Sequence, residues 1–551
     1  MATNGQANMT EMETFLPKDG SNIKDKYKIS VSPAKTRDLE AERLNSIDGK
    51  YYDPFKERKV EHPTSDCDTL THLLKASLGT GILAMPIAFK NAGLTMGIFF
   101  TIIVALVCTH CAYIVVKCAH VLYYKTRTPA MSFADVGEAA FTHGPPWGRK
   151  FAKLARVSIL VGLFLSYFGT CSVYTVIIGN NFQQVIDYHL GFENNQRIYI
   201  IALLVPLILM SWVPNLKSLA PVSMVANLFM GLGLGITFYY LVQDLPSPQE
   251  MPQVAPVMEW PIFFSICIFA MEAIGVVMPL ENSMSNPQHF IGICGVLNQG
   301  MGGVTLVYIL LGFLGYVKYG DETKGSITLN LPTEDFLAQS VKILVGLAVF
   351  CTYGLQYYVC LEIVWNGVKD RFSKGSRMAE YVVRTLLTSA SVLLAVAVPT
   401  IGPFIGLIGA FCFSLLGLII PIFIEIVTYW DLGFGACNWI ILKNILVFGF
   451  GVLALIFGTY TSIEEIAAMY SPVVDEAQDL FNKTAVNATE VFGQLASTVV
   501  SSVNVTDTID KLQSAVGNNT AMAAVLDTFS NGTKTVAEAV LNAGNGTNPL
   551  S

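Results

Sequence analysis

The sequence predicts an all-α polytopic membrane protein of eleven transmembrane helices, built as a 5+5 inverted repeat plus one helix, with helices one and six broken. Three observations carry this. Apolar residues make up 52% of the 551 and charged residues only 14%, and runs of about 20 apolar residues recur through most of the chain. The first run, His72 to Pro86, reads HLLKASLGTGILAMP and is interrupted by Gly79-Thr80-Gly81. The sixth, FFSICIFAMEAIGVVMPLEN from Phe263 to Asn282, carries Glu272 near its middle, then Gly275 and Pro279.

In order, spans are expected at 70–89, 95–116, 157–180, 198–213, 219–242, 261–280, 291–317, 337–363, 382–398, 403–427 and 439–459. Residues 1–68 are polar and charged, so no cleavable signal precedes the first span, which must itself direct insertion. Only Pro399 to Pro403 separates the ninth from the tenth. Breaks in spans one and six imply a five-helix repeat. Because five is odd, the second copy enters from the opposite side and the broken helices meet near the midplane, which suits alternating access.

Charge sets the orientation. The segments on the N-terminal side of the membrane together carry 25 of the 34 Lys and Arg, which places the N-terminus in the cytoplasm. An odd span count then puts the C-terminal tail outside or in a lumen. That tail, 460–551, holds six N-x-T acceptors, at Asn482, Asn487, Asn504, Asn518, Asn531 and Asn545, against one, Asn8, in all that precedes it. Such sites are glycosylated only on the lumenal face. Three regions follow: a cytoplasmic tail 1–68, a membrane domain 69–459, and a glycosylated tail with weak amphipathic helices.

Inside a bilayer, non-helical backbone survives only where protein buries it or where it lines an aqueous cavity. The glycines of the first break remove side chains and let a ligand reach backbone, and the half-helix restarting at Ile82 offers amides and a positive dipole end to a carboxylate. Their alternative use is close helix packing. Glu272 beside the second break is an acidic side chain at membrane depth, a functional candidate by position. No H-E-x-x-H, G-x-S-x-G or Walker pattern suggests an enzyme, and no metal site is expected. The net charge of -7 does not suggest nucleic acid, and Cys108-x-x-Cys111, inside a span, suits packing better than redox or metal work.

HLLKASLGTGILAMPIAFKNAG, AMEAIGVVMPLEN and GSITLNLP at Gly325 to Pro332 occur in order, and with them the chain from about Thr64 to Ser462 resembles the proton-coupled amino acid transporter family. That family lies within the amino acid/auxin permease branch of the LeuT-like carriers. Vertebrate members carry a cysteine pair in the outer loops; here Asn194-Asn195-Gln196 and Thr333-Glu334-Asp335 stand there, which removes the disulfide the resemblance would imply. The resemblance implies transport of small neutral amino acids of the alanine, glycine and proline type, with the proton as coupling ion and no cofactor. Ser77, Gly79, Thr80 and Gly81 are then expected to hold the substrate carboxylate, with Ala270, Met271, Ala273 and Gly275 at the second break. Tyr167 and Phe168 in span three and Tyr353 and Gln356 in span eight are candidates for the pocket wall. His72 matches the family's first-span histidine, and with Glu272 it is a candidate for proton coupling.

A sodium-coupled carrier, and an amino acid sensor with a signalling partner on the N-terminal tail, remain open alternatives. Tyr52-Asp53-Pro54-Phe55 fits the pattern read by endocytic and lysosomal sorting adaptors, so the plasma membrane and the late endosome or lysosome are both expected addresses.

Overall fold

The computed structural model describes residues 52–58, 60, 63–213, 216–369 and 377–470. The expected N-terminal tail up to residue 51 and the acceptors Asn482, Asn487, Asn504, Asn518, Asn531 and Asn545 lie outside the described residues. The chain forms two compact units: Met1–Ser462, which holds the helices named below, and Ile463–Ser551, whose described residues 463–470 are helical.

The long elements are α1 Asp66–Ser77, α2 Met85–Ala92, α3 Leu94–Thr126, α4 Phe133–Thr142, α5 Ala152–Leu190, α6 Gln196–Ser211 and α7 Leu216–Val242. They continue with α8 Trp260–Met271, α9 Ile274–Ser283, α10 Val296–Tyr319, α11 Phe336–Val368, α12 Arg377–Ala397, α13 Ile401–Thr428 and α14 Trp439–Leu453. Among the described residues nine spans are long and apolar enough to cross a membrane, or ten if the bent pair Asp66–Ser77 and Thr80–Ala92 is one. The expected fourth span, α6, is about 24 Å long at the usual helical rise, short of the ~30 Å hydrocarbon core. Its helix is also interrupted at Leu203.

Local chemistry explains the helix ends. Ser65 accepts from the Asp68 amide while Asp68 accepts from the Ser65 amide, a capping box that starts α1, and Ser132 with Asp135 repeats it at α4. Pro399 lies between α12 and α13, so the tight ninth-to-tenth split stands. Within α13, Ile408–Ile419 widens into a π-helix. Among the described residues the buried apolar side chains fall into two clusters. Ile82, Cys111, Met271, Val304 and Leu418 belong to the first, and Ala112, Ala273, Met301 and Leu416 to the second.

The segment before α1 is docked on the end of α3. Phe55 meets the rings of His120, Tyr123 and Tyr124 edge-on, with centroids 5.1–6.2 Å away. Arg58 forms a buried ion pair with Glu281 of α9 at 3.2 Å, and the same carboxylate meets His120 Nε2 and accepts from the Tyr123 hydroxyl, both at 3.0 Å. The Tyr52-to-Phe55 stretch is docked here: Pro54 is buried and Phe55 is seated among three aromatic rings.

Candidate functional site

α1 stops at Ser77 because the next two residues leave helical geometry: Leu78 has φ −76° and ψ 52°, and Gly79 is extended at φ −81° and ψ −159°. The chain restarts as a tight turn, Thr80–Ala84, that runs into α2, bent 45° from α1. In the sixth span the break falls at Glu272, extended at φ −73° and ψ 121°, and Ala273, after which α9 begins. Pro279 sits inside α9 without ending it. Each break exposes two kinds of helix end, carbonyls at the C-termini of α1 and α8 and amides at the N-termini of Thr80–Ala92 and α9.

The two breaks touch. A Cβ built on Gly81 would lie 2.6 Å from Ala270 Cα, so here the glycine serves close packing between the broken segments. Gly79 differs: its Cβ would meet only the Ala76 carbonyl oxygen at 3.8 Å and the Tyr174 hydroxyl at 3.9 Å, leaving room beside the backbone.

Around this contact lies a cavity of about 80 Å³. Ser77, Gly79, Thr80 and Gly81 line it from the first break, and Ala270, Glu272, Ala273 and Gly275 from the second. One face of α5 supplies Ser166, Tyr167, Thr170 and Tyr174, while Gln356 comes from α11 and Phe413 and Leu416 from α13. The spacing of the α5 residues is that of a single helical face. The Ser77 hydroxyl is buried without a hydrogen-bond partner among the described residues, which leaves it free to engage a ligand.

Glu272 caps the second break. Its carboxylate accepts from the Ile274 amide at the start of α9, and its Oε2 lies where a Cβ on Gly417 would stand, so the π-helical stretch of α13 makes space for it. The N-terminus of α9 is thus already filled by a carboxylate of the protein. The amide end that remains for an anion from outside is that of Thr80–Ala92, while the carbonyl ends of α1 and α8 favour a cation.

Of the residues expected in the site, nine of the pocket candidates and Glu272 line the cavity, and four residues do not. Met271 is fully buried in the apolar cluster, because it points away as the last residue of α8. Phe168 stacks on Phe164 at 5.5 Å, and the Tyr353 hydroxyl pairs with Ser391 Oγ at 2.9 Å while its ring stacks on Tyr357. His72 is exposed on α1 and outside the cavity. Sequence reasoning missed Tyr174, Thr170, Ser166 and above all Tyr308 of α10, a fully buried tyrosine whose hydroxyl donates to the Ala270 carbonyl at 3.0 Å and also meets the Ser77 carbonyl. Its available signal was a phenol inside an apolar span, which needs a partner there.

Known proteins resemble this chain in sequence. The chain is 60% identical over 464 residues to the proton-coupled amino acid transporter-like protein pathetic of Drosophila melanogaster, covering 84% of this chain and 96% of that one. It is 25% identical over 453 residues to the probable amino acid transporter skat-1 of Caenorhabditis elegans, covering 80% and 97%. Among solved structures, Mhp1, a nucleobase-cation-symport-1 family transporter, aligns at 13% identity and a TM-score of 0.45 over 75% of this chain and 95% of that one. The model of the transmembrane amino acid transporter protein family matches residues 62–464, and with a 60%-identical relative beside it the chain belongs to that family.

Proposed function

We propose that this amino acid transporter is a secondary active carrier of small neutral amino acids, of the alanine, glycine and proline type, coupled to protons and working by alternating access between two inverted five-helix halves. The observation that carries the reading is the pair of touching helix breaks beside one small cavity. A cavity of about 80 Å³ suits a small substrate better than one with a bulky side chain. The substrate carboxylate meets the amides of Thr80 and Gly81 and the Ser77 hydroxyl. Its ammonium faces Glu272 and the carbonyl of Ala270, with Tyr167 and Gln356 as walls.

Glu272 is the coupling group in this reading. A carboxylate that caps a half-helix and faces the cavity senses both the substrate ammonium and the conformation of the break, so its protonation changes as the carrier cycles. His72, exposed on α1, is given no part in coupling. The N-terminus is cytoplasmic, the six-acceptor tail is glycosylated in a lumen or outside the cell, and the protein resides in the plasma membrane or the late endosome and lysosome. Uptake of labelled alanine into proteoliposomes under an imposed pH gradient, with sodium replaced by choline, tests the function. Concentrative uptake is expected; uptake that requires sodium, or none at any gradient, would overturn proton coupling or transport respectively.

A further inference from the structure

α1 and α8 both end at the breaks with their carbonyls unpaired in the helix, so two negative helix ends converge beside the cavity. Left alone, such a pair repels and leaves acceptors unsatisfied in a dry interior. One side chain answers both. The hydroxyl of Tyr308, carried by α10, lies against the Ser77 carbonyl and donates to the Ala270 carbonyl at 3.0 Å. Its ring is completely buried in the apolar cluster that holds Ile82 and Ala270, which pins the hydroxyl in place.

We propose that Tyr308 is a positioning residue that staples the two helix breaks together and so sets the spacing of the substrate site. Broken-helix carriers use the carbonyls at such breaks to coordinate a coupling cation. Here a protein hydroxyl occupies the place between them, so the breaks are held together without a bound metal ion. The phenol has one proton and two carbonyl acceptors, so it satisfies them in alternation and acts on the cavity only through Ser77 and Ala270, which line it. The inference rests on the substrate reading above for its effect on binding, but the staple itself is independent of what is carried.

The test is Tyr308→Phe, which removes one oxygen and keeps the ring, with Tyr316→Phe, an equally buried tyrosine on the same helix, as the control. In the full chain in lipid nanodiscs, amide deuterium uptake over 79–84 and 273–276 is expected to quicken by about tenfold or more in Tyr308→Phe, the effect of unpairing one buried hydrogen bond. Helices α7 and α12 and the Tyr316→Phe protein should keep their protection. In proteoliposome exchange, KM for alanine should rise about tenfold, with the maximal rate within about threefold of wild type. Unchanged protection at both breaks overturns the staple, as does loss of protection throughout the bundle or the same change in Tyr316→Phe. Because deuterium uptake needs no transport, a wild-type protein that moves no alanine while Tyr308→Phe still loosens both breaks leaves the staple standing and removes the substrate reading. Normal wild-type transport with an unaltered Tyr308→Phe does the reverse. Replacing choline by sodium should leave the wild-type KM unchanged; a lower KM would place a cation between the breaks and overturn the hydroxyl's substitution for it.

Discussion

Adding one methyl group at Gly81 separates the two uses of glycine at the first break. The new Cβ would stand 2.6 Å from Ala270 Cα and 2.9 Å from Ala270 Cβ. Carbon atoms rest at about 3.5–4.0 Å, so the broken segments must part by about 1 Å. Overpacking of this kind costs about 1–3 kcal/mol, or ~5- to ~150-fold in an equilibrium constant. A hydrogen bond does not survive a 1 Å stretch, and a small zwitterion gripped at both ends by the two breaks would lose one set of contacts. Gly81→Ala is therefore expected to raise KM for alanine by about tenfold or more while the protein still inserts, and Gly81→Val to abolish uptake. Gly79→Ala is the contrast. Its Cβ makes only ordinary contacts, at 3.8 and 3.9 Å, so folding should be unaffected and any loss must come from the methyl group entering the cavity. The assay is substrate exchange in proteoliposomes alongside thermal unfolding of the purified protein. Wild-type KM and melting temperature in Gly81→Ala would refute the packing argument, and wild-type KM in both variants would move the site elsewhere.

Other consequences are equally direct. Glu272→Gln keeps an oxygen that accepts from the Ile274 amide but carries no titratable proton, so exchange of internal for external alanine should persist while accumulation driven by a pH gradient collapses; accumulation with unaltered pH dependence would make Glu272 structural. Arg58→Ala leaves the fully buried Glu281 carboxylate with only His120 and Tyr123, and loss of its guanidinium partner should cost about 1–3 kcal/mol, read as a lower thermal midpoint; an unchanged midpoint would mean that the N-terminal segment adds nothing to stability. Glycosidase treatment of the cell-made protein should reduce its apparent mass, and replacing Asn482, Asn487, Asn504, Asn518, Asn531 and Asn545 by Gln should remove nearly all of that shift; a tail cut by cytoplasmic protease instead would reverse the orientation.

The two breaks were legible because their signals are local. Gly79-Thr80-Gly81 and the acidic Glu272 contradict a continuous lipid-facing helix whatever surrounds them. What lay beyond sequence was which partner answers each break. Tyr308 is more than 200 residues from Ser77 in the chain, and its spacing within α10 is that of any packing residue. The capping of α9 by Glu272 depends on room at Gly417, and the π-helical stretch that supplies it has no simple pattern in an apolar run. Phe168 and Tyr353 lie outside the cavity for the related reason that an aromatic side chain on a membrane helix is committed by its neighbours, here Phe164 and Ser391. Nothing local in Tyr52 to Phe55 reveals that Phe55 has three aromatic rings to pack on. His72 drew attention by its chemistry, yet the pitch of α1 turns it away from the cavity that Ser77 lines.

The central claim is that the two helix breaks together form the substrate site. Deuterium uptake of the wild-type chain in lipid nanodiscs, with and without saturating alanine, measures this most directly, because ligand gripped by backbone slows exchange of the amides that hold it. Protection is expected at 79–84 and at 273–276 together, with little change in α7 and α12. Alanine binding, seen by calorimetry, that leaves both segments unprotected would contradict it.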